Sequence, residues 1–80
     1  MASRRVHLTF SKEAVRQPII WQIGQENNLV VNIRRADVQH DMGWVELELD
    51  GEDAALDIAL KTFQQRGVRV DPIEMQTITG

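Results

Sequence analysis

Two short stretches of alternating side chains, on either side of a polar break, constrain the fold of this chain most strongly. In residues 29–33 every second residue is apolar and points to one side, and the same period returns in residues 44–49. A period of two is typical of a strand with one apolar and one polar face. Residues 28–51 therefore predict a β-hairpin whose apolar face must be covered by other elements.

The hairpin also carries a local irregularity. Strict alternation past Ile33 would turn Arg35 toward the core, so we expect a β-bulge or a strand end near Arg35 or Ala36. With a turn centred near His40, Asn32 is predicted to lie opposite Glu48. By the same register, Arg34 is predicted to lie opposite Glu46.

One more strand is predicted on each side of the chain. Alternation indicates a first strand over residues 5–10, and a short last strand follows at residues 68–73. Pro72 lacks the amide donor that a ladder needs, which favours an edge position. Residues 75–80 are predicted to form a loose tail.

Two helices are predicted between these strands. Pro18 suits the first position of a helix over residues 18–27, and Gly24 in that helix allows close approach to a strand. A second helix is predicted to open at Asp50, which would act as its capping side chain, and to end at Gly67.

The order β-α-β-β-α-β predicts one α+β domain over residues 1–80, with its core at about residues 5–74. Short right-handed connections give a ferredoxin-like fold: a four-stranded antiparallel sheet in the order 4-1-3-2 with two helices on one face. The other sheet face would stay open. Its expected residues are His7, Val30, Asn32, Arg34, Trp44, Glu46, Glu48 and Arg69.

Composition excludes several classes of function. The chain of 80 residues contains no cysteine, which rules out disulfides, thiolate metal sites and a thiol nucleophile within it. Its net charge of −3 comes from interspersed charges and disfavours nonspecific nucleic-acid binding. Its apolar runs fall short of the roughly 20 residues that a membrane span requires. We expect a soluble, cytoplasmic protein with no insertion into the membrane.

At this point the residue pattern resembles a known family over about residues 6–74. The pattern consists of Asn32-Ile33-Arg34 with Ala36-Asp37-Val38, then Gly43, Val45, Leu47, Leu49 and Gly51, then Leu56, Ala59, Leu60, Phe63, Gly67 and Val68, after a lead-in of Phe10 and Pro18-Ile19-Ile20. This spacing resembles the NIL domain. The third position of the name-giving motif is Arg34, where the family has leucine.

The resemblance implies a fold and a function. The NIL domain is best known as the C-terminal regulatory domain of methionine ABC-transporter ATPases, where it has an ACT-like, ferredoxin-like fold, pairs with a second copy and binds methionine to inhibit transport. It also occurs beside iron–sulfur ferredoxin modules and alone. We expect this chain to be a stand-alone domain without the ATPase, and the guanidinium of Arg34 would make an apolar thioether site more polar or bind a carboxylate.

Four residues are candidates for ligand or interface binding. Asn32 can hydrogen-bond a ligand or a partner, or can simply keep the hairpin in register. Arg34 takes part as the altered motif position. Trp44 belongs to a residue type enriched in interface hot spots, and Val30 is expected to share its face.

A metal site, a catalytic site and an RNA-binding face are each disfavoured, because residues that they would need are not present in the required pattern. Asp37, His40 and Asp41 cluster in the hairpin connection, but such residues are more often solvated turn residues than metal ligands. Glu46 and Glu48 share a face without a nucleophile, so we expect neither an enzyme nor a cofactor. The same acidic pair beside a single tryptophan disfavours an RNA-reading module.

The leading hypothesis is a non-enzymatic, ligand-sensing regulatory module. It would dimerise and bind methionine or a related amino acid at or near the homodimer interface. The alternative is a ligand-free adaptor that acts on a transporter, ferredoxin or enzyme partner.

Overall fold

The computed structural model describes residues 2–73, and their elements follow the predicted order. The elements are β1 (Ala2–Phe10), a 3₁₀ turn (Ala14–Arg16), α1 (Ile19–Glu26), β2 (Val30–Val38), β3 (Gly43–Gly51), α2 (Asp53–Gln65) and β4 (Val68–Pro72). The predicted tail at residues 75–80 lies outside the described residues.

The four strands form one antiparallel sheet in the order β2-β3-β1-β4, which confirms the ferredoxin-like α+β prediction. β1 pairs with β3 from Ala2 opposite Gly51 to Phe10 opposite Gly43. The first strand therefore begins three residues before the predicted Arg5, because its pairing with β3 continues to Gly51, the last residue of β3. Pro72 ends β4 on an outer edge of the sheet, as predicted.

The core lies between one sheet face and the two helices. β3 alternates strictly between buried and half-buried residues along its whole length. The buried apolar residues are Val6, Leu8, Phe10, Ala14, Ile19, Ile23, Val45, Leu47, Leu49, Leu56, Ala59, Phe63 and Val68. Among residues 2–73 no polar or charged residue is buried, so this core contains no buried charge that needs a partner.

The boundaries of α1 agree with the sequence prediction. Pro18 precedes the first helical residue, and Asn28 after its end adopts a left-handed φ of 53°. A Cβ at Gly24 would lie 3.1 Å from Cγ2 of Val31 on β2. The expected close approach of this helix to a strand is therefore confirmed.

The predicted start of α2 is wrong. Asp50 belongs to β3, where its backbone pairs with Ser3 and Val30, and α2 begins at Asp53 with no side-chain capping bond. The ladder extends to the end of β3 and leaves Asp50 no freedom to cap. The predicted end is confirmed, since Gly67 has a φ of 84° after the last helical turn.

The hairpin register confirms the bulge and corrects one predicted pair. Pairing is irregular between Ile33 and Arg35, and Arg35 lies opposite Glu46 in place of the predicted Arg34. Asn32 lies opposite Glu48, as predicted. Because of the extra residue, Val38 lies opposite the buried Gly43 and lines the helix side of the sheet with Val45.

Candidate functional site

The free edge of β2 is the most exposed part of the sheet. β2 is an outer strand, and all its residues except Val31 are exposed. Val30, Ile33 and Val38 expose 59%, 55% and 59% of their surface. An uncovered edge presents backbone donors and acceptors that can pair with another strand. This edge is therefore suited to strand pairing reinforced by apolar contacts.

The four predicted binding residues lie along or beside this edge, but they are not one cluster. Val30 lies opposite Asp50 at the start of β2. Asn32 is exposed opposite Glu48, whose carboxylate is 3.3 Å from the guanidinium of Arg5. Val30 and Asn32 thus border the open sheet face.

Arg34 and Trp44 occupy different surroundings. Arg34 is the exposed residue at the bulge and has no ladder partner. Trp44 is half-buried on the open face, where its ring stacks on His7 with centroids 5.2 Å apart. Much of the Trp44 surface is therefore already in contact within this chain.

The open face carries a compact polar cluster around Glu46. His7 Nδ1 lies 3.0 Å from one Glu46 oxygen, and Arg35 Nε donates to the other over 3.2 Å. The Arg35 guanidinium also lies 5.9 Å from the centre of the Trp44 ring, within cation–π range. The hydrogen bond from His7, then the charges of Arg35 and His7, lower the pKa of Glu46 below its ordinary value.

Two apolar cavities open on the opposite side of β2, beside α1. The first, here called the Val38 cavity, measures about 170 Å³. It is lined by Phe10, Val15, Gln17, Pro18, Ile19, Ile20, Trp21, Val38 and Val45. The second, the Ile33 cavity, measures about 430 Å³. It is lined by Ile20, Trp21, Gly24, Gln25, Leu29, Val31 and Ile33.

Trp21 is a wall of both cavities and exposes 66% of its surface. None of the four predicted binding residues lines either cavity. The part that Trp21 plays in these cavities could have been found in the sequence, because Trp21 falls on the flank of the buried stripe of α1. Its neighbours Val38 and Gln17 could not be assigned to the cavity walls without the strand order and the bulge.

The hairpin connection carries no metal centre in the described residues. His40 Nε2 lies 3.9 Å from Asp41 Oδ2, but residues 2–73 contain no group of three or more ligand-type side chains that could hold an ion. Within the same part of the chain, no helix has the length and apolar content needed to cross a membrane.

Comparison with known proteins connects this arrangement to a family. The chain resembles the crystal structure of the C-terminal domain of an ABC transporter ATP-binding protein from Enterococcus faecalis, with 26% identity and a TM-score of 0.80 over 91% of this chain and 86% of that one. A de novo designed protein, Ferredog-Diesel, aligns with 14% identity and a TM-score of 0.46 over 88% of this chain and 84% of that one.

No curated protein matches the sequence. The family model of the NIL domain matches residues 4–72, which is nearly all of the described chain. This match and the transporter-related neighbour support a regulatory module. The chain belongs to the NIL domain family.

Proposed function

We propose that this chain is a non-enzymatic regulatory module that forms a homodimer through the edge of β2 and binds methionine or a related amino acid near that interface. Membership in the NIL family and the likeness to a transporter ATPase domain support the regulatory role. The observation that carries the dimer is the uncovered edge of β2 with its three exposed aliphatic side chains.

The composition of β2 favours a specific position for pairing. Val30 to Ile33 forms a regular, uncharged stretch, whereas the bulge and the charges of Arg34, Arg35 and Asp37 interrupt the second half of the strand. Charges and bulges on an edge oppose nonspecific pairing. Antiparallel pairing of two copies is therefore expected over the first half of β2, which contains Asn32.

The Ile33 cavity lies directly beside this edge. Val31 and Ile33 line it from β2, while Trp21 and Gly24 line it from α1. A second copy paired along β2 would approach the mouth of this cavity. A ligand that binds one arrangement of the two copies better than another would shift their populations and so transmit a signal.

Size-exclusion chromatography with light scattering tests the dimer. We expect the mass of two chains for the wild type and of one chain for the double variant Val30→Lys/Ile33→Lys. The added ammonium groups, two on each chain, would repel one another and would have to be desolvated when the edges pair. Ile58→Lys is the matched control, since Ile58 exposes 56% of its surface on α2, away from the sheet edge. A monomeric wild type at all concentrations would contradict the dimer.

Titration calorimetry with methionine and a set of other amino acids tests the ligand. Binding heat and an increased Tm are expected for methionine or a close relative. No heat and no thermal stabilisation across the set would remove ligand binding from the proposal while leaving the dimer intact.

A ligand-free adaptor is the second candidate, because the same uncovered edge can accept a strand of another protein. The transporter-related neighbour makes an ABC transporter ATPase a suitable partner to test. An adaptor would be retained on the immobilised partner without any added amino acid, and the Val30→Lys/Ile33→Lys variant would lose that retention. Trp44→Ala should weaken capture only if the partner also covers the open face.

A further inference from the structure

The Val38 cavity has a polar rim that suits a particular class of ligand. We propose that it binds the uncharged side chain of a free amino acid, or of a similar small carboxylic acid, and that Gln17 and Arg66 hold the carboxylate. This inference depends on the proposed ligand-sensing function and specifies where in the chain the ligand lies.

The interior of the Val38 cavity selects an uncharged group. Gln17 is its one polar wall, and no wall residue is ionisable. A charged group placed there would lose its hydration without gaining a partner. The volume of about 170 Å³ is close to that of an apolar cavity of ~150 Å³ that holds benzene. A single aliphatic or thioether side chain is therefore a suitable occupant.

The rim provides donors suited to a carboxylate. Nη2 of Arg66 donates a hydrogen bond to Oε1 of Gln17 over 3.0 Å, across 49 positions of sequence. That bond turns the Gln17 oxygen toward Arg66 and leaves its amide hydrogens as donors. The guanidinium carries five N–H groups, of which this bond uses one. Guanidinium and amide donors together match the two oxygens of a carboxylate.

Arg66 has no ion pair within the part of the chain that the structure describes. Its position is nevertheless fixed, since its backbone N–H bonds the carbonyls of Thr62 and Phe63 at the end of α2. Gln17 is held in the same way, with its N–H on the carbonyl of Ala14. Two anchored backbones and the hydrogen bond between their side chains thus place a positive charge beside a neutral apolar cavity.

Trp21 connects this ligand site to the proposed dimer edge. Its side chain lines the Val38 cavity on one side and the Ile33 cavity on the other. An occupant of the first cavity would contact the same indole that borders the second. The side chain that senses the ligand would therefore also contact the region where β2 pairs.

Titration calorimetry on the full chain tests this assignment with two arginine variants. For Arg66→Gln we expect the Kd for L-methionine to rise about tenfold or more, the usual effect of losing a charged hydrogen-bond donor. Arg34→Gln is the second of the two, because Arg34 on the β2 bulge is the rival carboxylate-binding arginine, and its Kd should change less than that of Arg66→Gln. The matched control for both is Arg69→Gln, since Arg69 is exposed on β4 and lines neither cavity, and this variant should keep the wild-type Kd. L-methioninol, which lacks the carboxylate, should bind wild type and Arg66→Gln equally.

Three further variants keep the test independent of folding. Gln17→Glu changes an exposed residue and places a repelling carboxylate at the rim, so it should also weaken methionine binding. The chain has two tryptophans, so the tryptophan fluorescence of the Trp44→Phe variant comes from Trp21 alone. The fluorescence of the Trp21→Phe variant comes from Trp44 alone. Methionine should change the emission of the first variant and leave that of the second unchanged.

The outcomes separate this inference from the proposed function. Loss of binding in Arg34→Gln with normal binding in Arg66→Gln would overturn the site and preserve a ligand-sensing module. A change of emission on adding methionine that is seen only for Trp44 would place the ligand on the open face. This result, too, would overturn the site and preserve a ligand-sensing module. A wild type that binds no amino acid would overturn both.

Discussion

Glu46 shows how single residues on the open face gain their properties from neighbouring strands. Its two carboxylate oxygens face His7 of β1 and Arg35 of β2, at 3.0 Å and 3.2 Å. Both neighbours favour the ionised form of the carboxyl group, and the hydrogen bond from His7 has the largest effect on its pKa. The side chain thus joins three strands on the face that no helix covers.

The lowered pKa of Glu46 predicts a dependence of stability on acid. As the pH falls through the ordinary pKa of 4.5, the carboxyl group of Glu46 takes up a proton in the unfolded chain before it does so in the folded chain. The stability that Glu46 contributes is therefore fully present above pH 4.5 and is lost as the pH falls through the lower pKa of the folded state. Urea unfolding measured between about pH 5 and pH 3 should show a shallower loss for Glu46→Gln than for the wild type.

Glu13→Gln is the control for this measurement. It removes an exposed carboxylate for which the described residues show no ion pair, so its acid profile should follow that of the wild type. Equal profiles for Glu46→Gln and Glu13→Gln would mean that the contacts of Glu46 do not favour its ionised form in solution.

At the scale of elements, one extra residue in β2 decides which side chains in the second half of that strand face the helices and which face the open side of the sheet. Before the bulge, Ile33 lies opposite the buried Leu47, and after it Arg35 lies opposite the half-buried Glu46. Because successive side chains alternate in a strand, the extra residue keeps Arg35 out of the helix side and places Val38 there. Val38 can therefore form one wall of the Val38 cavity.

The end of α2 is set by Gly67, and this makes a quantitative prediction. An added Cβ would meet no atom within 4 Å, but the φ of 84° is unfavourable for residues with a side chain. Gly67→Ala should therefore lower the free energy of unfolding by about 1–2 kcal/mol through the backbone alone. Chemical denaturation at neutral pH measures this difference.

Gly67→Asn provides the comparison, since asparagine tolerates this conformation and Asn28 already adopts a φ of 53° in the same chain. Its loss of stability should be clearly smaller than that of Gly67→Ala. If the two variants lost the same amount, the left-handed backbone would not be the reason for glycine at this position.

On the scale of the whole molecule, one apolar layer between sheet and helices holds the fold. β1 and β3 are the central strands, and their inward residues pair across the ladder, as Val6 does with Leu47. Phe63 of α2 and Ile23 of α1 are fully buried in the same cluster. A small domain with one core has few kcal/mol to lose before it unfolds.

Leu47→Ala is predicted to destabilise the molecule strongly. The side chain is fully buried, so its truncation should cost about 2–5 kcal/mol, as deletion of a buried leucine usually does. Ile58→Ala, at a position with 56% of its surface exposed on α2, should change stability by less than about 0.5 kcal/mol. Thermal and urea unfolding compare the two, and similar costs would show that the inward face has been misidentified.

The sequence by itself determined the elements, their order and the inward face of the central hairpin. These properties depend on residues that are close together in the sequence. Alternation sets the two faces of β3, Pro18 and Asn28 mark the two ends of α1, and Gly67 ends α2. The capping role predicted for Asp50 was wrong, because the backbone pairing that holds this residue in β3 depends on strands far away in the sequence.

The tertiary structure alone decided which surfaces remain available for binding. The bulge moved Arg35 to the position opposite Glu46 that was expected for Arg34, and it turned Val38 to the helix side. The rim of the Val38 cavity joins Gln17 to Arg66 across 49 positions. Such proximity depends on how helices and strands pack across the whole chain, and a period of two or 3.6 residues carries no information about it.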